Sequence, residues 1–172
     1  LFTDYTDNII GILNSKVSRL FIEIIAPTLN VRAGNLAKFP IIISPFNNKM
    51  ISANINISKT DWDSRETSWD FERLPLLNNS SSLPTSYTIW EEKVTEDFFK
   101  LHENEEELNR IFIDIYGLQD ELDSNVALKD ITILKEELDR GELESRNGEL
   151  LTKKTGLPIK KDVVIKQLLS YA

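Results

Sequence analysis

Few side chains in this sequence have the type and spacing to do chemistry. His102 is the single histidine. Nucleophilic triads need a base beside the nucleophile, usually histidine. His102 sits in the run His-Glu-Asn-Glu-Glu-Glu, where a solvated helix face is expected rather than a catalytic base. Asp61, Asp63, Glu66 and Asp70 could gather a hard cation. Their spacing lacks the sharp-turn glycine and terminal glutamate of a calcium loop, so helix capping and salt bridges to Arg65 or Arg73 are expected instead. Trp62, Trp69 and Phe71 could stack bases as single-strand binders do. The neighbouring acids would repel a phosphate backbone, so packing of this segment onto a long helix near Trp90 is the expectation. No GxxxxGK[ST] loop and no GxGxxG fingerprint occurs. With no cysteine and one histidine, the thiolate and imidazole clusters of zinc sites are missing. The sequence therefore offers no catalytic residue, no cofactor-binding residue and no metal site.

Charge bounds the partners. The net charge is −8, which disfavours a dominant nucleic-acid surface, since nonspecific affinity comes from Lys and Arg neutralising phosphates. The sign is uneven. Residues 1–60 carry six basic against three acidic side chains, and residues 61–172 carry fourteen against twenty-five. The acidic part is expected to solvate exposed helices. No apolar run approaches the roughly 20 residues that span a bilayer. The absence of cysteine fits a reducing cytoplasm. The start at Leu-Phe-Thr reads as a segment of a longer protein.

The elements that would position these groups are mostly helical. Ile9, Ile10, Leu13, Val17, Leu20, Phe21 and Ile24 recur at helical spacing and predict one amphipathic helix over 7–26, capped by Thr6 or Asp7 and stopped by Pro27. A one-turn helix is predicted near Asn35–Lys38, and a short buried strand at Ile41–Ile43. Residues 47–59 suit a short helix or, from Ile55 and Ile57, a strand. Asn78–Ser82 reads as a polar loop. The clearest element is a helix over about 84–116. Pro84 is in its first turn and Ser82 stands upstream as cap. Gly117 ends it. At about 1.5 Å per residue it would run on the order of 50 Å. Residues 118–123 suggest a turn, and 127–134 a strand or extended linker. Glu136–Lys154 is charged and interrupted by Gly141 and Gly148. Residues 162–172 predict a final helix capped by Asp162. The fold class is mainly α with minor β.

Several blocks resemble a known family. Leu13-Asn14-Ser15-Lys16, Ala26-Pro27-Thr28-Leu29-Asn30, Gly34-Asn35-Leu36 and Phe39-Pro40-Ile41 resemble the end of a target recognition domain. Such domains occur in adenine-specific DNA methyltransferases of type II restriction–modification systems. The stretch from Ile57 to Ser64, with Glu66-Thr67-Ser68-Trp69-Asp70-Phe71 and Pro75-Leu76-Leu77, is similar to the segment that follows in PglX-type methyltransferases of BREX phage-resistance systems. Glu105 to Leu118 and Ile165 to Ala172 are similar to later helices of the same proteins. The resemblance implies a parent enzyme that methylates adenine N6 from S-adenosylmethionine. Its catalytic motif is [ND]PP[YF], and Ser44-Pro45-Phe46 lacks the paired prolines, so no catalytic residue carries over.

The expected organisation is then residues 1–45 as the C-terminal part of a recognition domain, a small α/β remnant, and 46–172 as a helical connector or spacer. A base methylase flips its adenine into a pocket, and a separate module holds and reads the duplex. Lys16, Arg19, Arg32 and Lys38 are the candidate contacts to double-stranded DNA. Partner subunits of a defence system are also implied. The alternative is a protein–protein scaffold whose long helix docks such a subunit.

Overall fold

The structure, a computed structural model, describes residues 6–27, 30–42, 49–77, 82–145 and 156–171. The recognition-domain boundary expected near residue 45 lies outside these residues. So do Thr28, Leu29, Ile43, most of the 78–82 loop, Gly148 and Ala172. The described residues are mainly helical: α1 (Thr6–Leu13), α2 (Lys16–Ile25), α3 (Ala33–Leu36), α4 (Lys49–Asp63), α5 (Leu83–Tyr116), α6 (Arg140–Ser145) and α7 (Lys161–Tyr171). Among them the β content is one isolated antiparallel bridge, Leu138 to Ile159.

The chain divides into two compact units, Leu1–Asn54 with Glu103–Val126, and Ile55–His102 with Ala127–Ala172. Helices α4 and α5 each contribute one part to each unit.

In the first unit, the expected single helix over 7–26 is two helices. Ser15 is extended (φ −91°, ψ 163°) and caps α2, its Oγ accepting from the Ser18 N–H. The same hydroxyl donates to the Ile12 carbonyl at 2.7 Å, and Asn14 Nδ2 donates to the Ile10 carbonyl at 2.8 Å. These side-chain bonds offer the backbone an alternative to the helix ladder, so an apolar stripe continues through a break. Ile12, Val17, Phe39, Ile51, Leu108, Phe112 and Ile113 form the core. Gly11 lets α1 approach closely: a Cβ there would meet Ile51 Cδ1 at 2.5 Å.

Ile41 and Ile42 are not a buried strand; both are exposed and neither pairs with a strand among the described residues. Their backbone is held by a side chain instead. The Tyr116 hydroxyl donates to the Pro40 carbonyl (2.6 Å) and accepts from the Ile42 N–H (3.0 Å). Gly117 ends α5 as expected. At φ +65° it lets the Leu118 N–H reach the Ile113 carbonyl (3.0 Å) and its own N–H reach that of Asp114 (3.2 Å). These bonds satisfy carbonyls that a helix end otherwise leaves open.

In the second unit, Ser82 starts α5, its Oγ accepting from the Thr85 N–H. The first part of α5 buries Phe98, Phe99 and Leu101. The 127–134 segment is a 3₁₀ turn at Leu128–Asp130 and then extended chain burying Ile131 and Ile133. Arg140 fastens it, its guanidinium donating to the carbonyls of Lys129, Ile131 and Ile133. Helix α7 begins at Lys161, one residue before the expected start, so Asp162 lies in its first turn rather than at its cap. There it pairs with Lys166.

Candidate nucleic-acid interface

The four basic candidates all fall in the first unit. Lys16 opens α2 behind the Ser15 cap. Its backbone N–H donates to Asn109 Oδ1 (2.9 Å), and its ammonium pairs with Asp123 at 2.9 Å. That ammonium holds the Asp123 carboxyl below the usual carboxylate range, helped by the Asn125 N–H. Lys16 is thus already partly neutralised. Arg19 follows on α2, exposed, with Glu23 one turn later at 3.3 Å. Arg32 and Lys38 flank the short α3, which Asn35 ties down by accepting from the Arg32 N–H and donating to the Ile25 carbonyl. Both are exposed and neither forms an ion pair with any described residue.

The fold changes the charge balance read along the chain. Residues 1–54 share their unit with residues 103–126, which hold eight acids and one arginine. The first unit therefore carries six basic against eleven acidic residues, a net of −5. Arg110 is itself paired with Glu107 at 2.6 Å. Nonlocal packing, invisible to a running charge count, brings an acidic segment into the same unit as the basic residues.

Asp61, Asp63 and Asp70 of the acidic stretch in the second unit form ion pairs. Asp61 pairs with Arg65 (2.8 Å), as expected, while Asp63 and Asp70 share Lys59 (2.7 and 2.6 Å) rather than Arg73. Lys59, with a bond from Ser68 Oγ, lowers the Asp63 carboxyl. His102 is half-buried on α5. The tryptophans depart from expectation. Trp69 is 100% exposed and Trp62 55% exposed, so neither is the buried anchor expected. Phe71 does pack, but edge-on against Tyr171 of α7 at 5.7 Å. Trp90 has Tyr87 as its neighbour instead, at 5.7 Å.

The sequence reading missed a cavity in the second unit of about 250 Å³. Its wall holds a charge network. Arg65 bridges Asp61 and Glu137, the latter at 3.0 Å; Gln167 donates to the other Glu137 oxygen at 2.9 Å. The Leu134 N–H donates to Asp61 Oδ1 (3.0 Å), holding Leu134 at φ +52°. Burial opposes the charge on Arg65, but Asp61 and Glu137 outweigh it and hold its pKa raised. No short motif announces a group whose members lie 72 residues apart.

No protein-family model matches the sequence. Two curated proteins do. An "Adenine-specific methyltransferase PglX" of Lacticaseibacillus casei (strain Zhang) is 36% identical over 139 residues, covering 76% of this chain and 12% of that protein. An "Adenine-specific methyltransferase BrxX" of Escherichia coli O9:H4 (strain HS) is 30% identical over 168 residues, covering 96% of this chain and 13% of that protein. The chain is a relative of the PglX-type adenine-specific methyltransferases. It spans about one eighth of the length of either of these relatives. Among the described residues no helix is long and apolar enough to cross a membrane.

Proposed function

We propose that this chain is a non-catalytic recognition-and-spacer segment of an S-adenosylmethionine-dependent N6-adenine DNA methyltransferase. The parent serves cytoplasmic phage defence of the BREX type. The observation that carries the reading is the match to BrxX over 96% of this chain, confined to 13% of that protein, together with the absence of an [ND]PP[YF] motif from the sequence. Residues 1–45 form the tail of the recognition domain in this reading, and 46–172 the helical connector. Double-stranded DNA reaches the segment through the parent. Arg32 and Lys38 carry the contact to phosphate, with Arg19 and Lys16 in support; cofactor and catalysis lie elsewhere in the parent.

Two measurements test it. The purified chain should transfer no methyl group from labelled S-adenosylmethionine to DNA; measurable transfer would sink the reading. Fluorescence anisotropy with a duplex should show weak binding whose logarithm falls linearly with that of salt. Arg32→Ala with Lys38→Ala should flatten that slope by about two contacts' worth. A slope unchanged by the pair removes these residues from the interface.

A second reading, a scaffold for a partner subunit, is favoured by α7. It exposes Ile165 (53%) and Leu169 (70%) one turn apart. Sedimentation showing only monomer, with no defence-system subunit retained on the immobilised chain, argues against it.

A further inference from the structure

The cavity of the second unit has a mixed wall. Leu74, Leu76, Val94, Ile133 and Val164 supply an apolar lining, with half-buried Trp90 among them. Five carboxylates, Asp61, Glu66, Asp97, Glu136 and Glu137, share that wall with one guanidinium, Arg65. Their states differ. Arg65 engages Asp61 and Glu137, and Lys93 engages Asp97 at 2.6 Å. Glu66 and Glu136 are exposed and form no ion pair with any described residue.

An anion would meet this wall at a cost, because the carboxylates outnumber the cation. A wholly apolar ligand would leave the free carboxylates with no partner but water. A group with an apolar stem and a cationic head satisfies both parts. Lysine and arginine bury their methylene stems along apolar surface and keep the charge at a polar edge. Trp90 adds an indole, the best aromatic partner for a cation. The volume suits one long side chain, being below the usual range for drug-sized ligands.

We propose that this cavity docks a single arginine or lysine side chain of a basic partner peptide. The stem lies against Val94, Ile133 and Trp90, and the head meets Glu66 and Glu136. The proposal does not depend on whether the chain contacts DNA.

The test uses the full chain with Trp62→Phe and Trp69→Phe. Both tryptophans are exposed, and their replacement leaves Trp90 as the one remaining of three. The probe is a short acetylated, amidated Leu/Ala peptide with one central arginine. Its twin carries neutral, nearly isosteric citrulline. The arginine peptide should change Trp90 emission saturably, and the citrulline twin should bind about tenfold more weakly. Glu66→Gln with Glu136→Gln should weaken the arginine peptide by about fivefold. Val94→Phe, which fills the cavity, should remove the response while far-ultraviolet dichroism stays unchanged. Equal binding of the two peptides, no response, or indifference to the glutamine pair overturns the proposal. Spermidine binding as tightly as the arginine peptide assigns the cavity to a free cation and overturns it as well.

Discussion

Arg65 meets Glu137 at 3.0 Å, and the same guanidinium grips Asp61 at 2.8 Å, so one cation holds the end of α4 to the segment ahead of α6. The side chains are 15%, 6% and 17% exposed for Arg65, Glu137 and Asp61. Removing one partner of such a pair leaves an uncompensated, poorly solvated charge, which costs about 3–5 kcal/mol. Arg65→Ala should therefore destabilise the chain near the lower end of that range, and Glu137→Gln distinctly less, because Gln167 can still donate to an amide oxygen. Urea denaturation of both variants checks the order. Equal, small shifts would show the network to be structurally idle.

Gly117 supplies a conformation other residues resist. Its φ of +65° closes the end of α5, and the left-handed region costs a residue with Cβ roughly 1–2 kcal/mol. Beyond its two chain neighbours, no atom of the described residues stands within 4 Å of where a Cβ would go, so the strain is in the backbone. Gly117→Ala should lower stability by about 1 kcal/mol, and Gly117→Asn by less, because Asn tolerates this region. Thermal melts of the two variants give the comparison.

Alkaline pH should act through Tyr87. Burial, then the charge of Glu91 and its hydrogen bond, push this phenol up to about 12. An unfolded tyrosine titrates near about 10. The folded pKa is the higher one, so the contribution is intact below about 10 and is lost as pH rises toward 12. Tyr87→Phe should flatten the fall in stability across that window. Tyrosinate absorbance should likewise lose its latest-titrating component. A full late component remaining in the variant would assign it to another tyrosine.

The Lys16 to Asp123 pair gives a prediction of the opposite sign. Lys16 lowers the Asp123 carboxyl, so this pair favours the folded state above the ordinary carboxylate pKa and stops doing so as pH falls through the lowered one. Lys16→Ala should raise the Asp123 titration, read by carbon-detected NMR. It should scarcely move the urea midpoint, because exposed pairs contribute little. Unchanged titration would mean the pair does not persist in solution.

Local patterns determined a good deal by themselves. The apolar stripe of α5, Ser82 ahead of it and Gly117 behind it fix a long helix with its ends, because spacing, cap and left-handed glycine are all local effects. Asp61 four residues before Arg65 places that ion pair within reach at the end of α4. The blocks shared with PglX-type proteins are likewise a property of the sequence. Tertiary structure decided the rest. The apolar stripe over 7–26 runs through a break, because Ser15 and Asn14 satisfy backbone groups that periodicity does not count. Ile41 and Ile42 read as strand, yet the Tyr116 hydroxyl, more than 70 residues later, bonds the Pro40 carbonyl and the Ile42 N–H on either side of Ile41. Trp62 and Trp69 read as buried anchors and are exposed. The positive sign of residues 1–54 is reversed by residues 103–126, which share their unit, and Arg65, Glu137 and Gln167 meet only in the folded chain. Helices and caps depend on neighbours within a turn; charge balance, the cavity and its network depend on which distant segments pack together, and one sequence read in order does not carry that information.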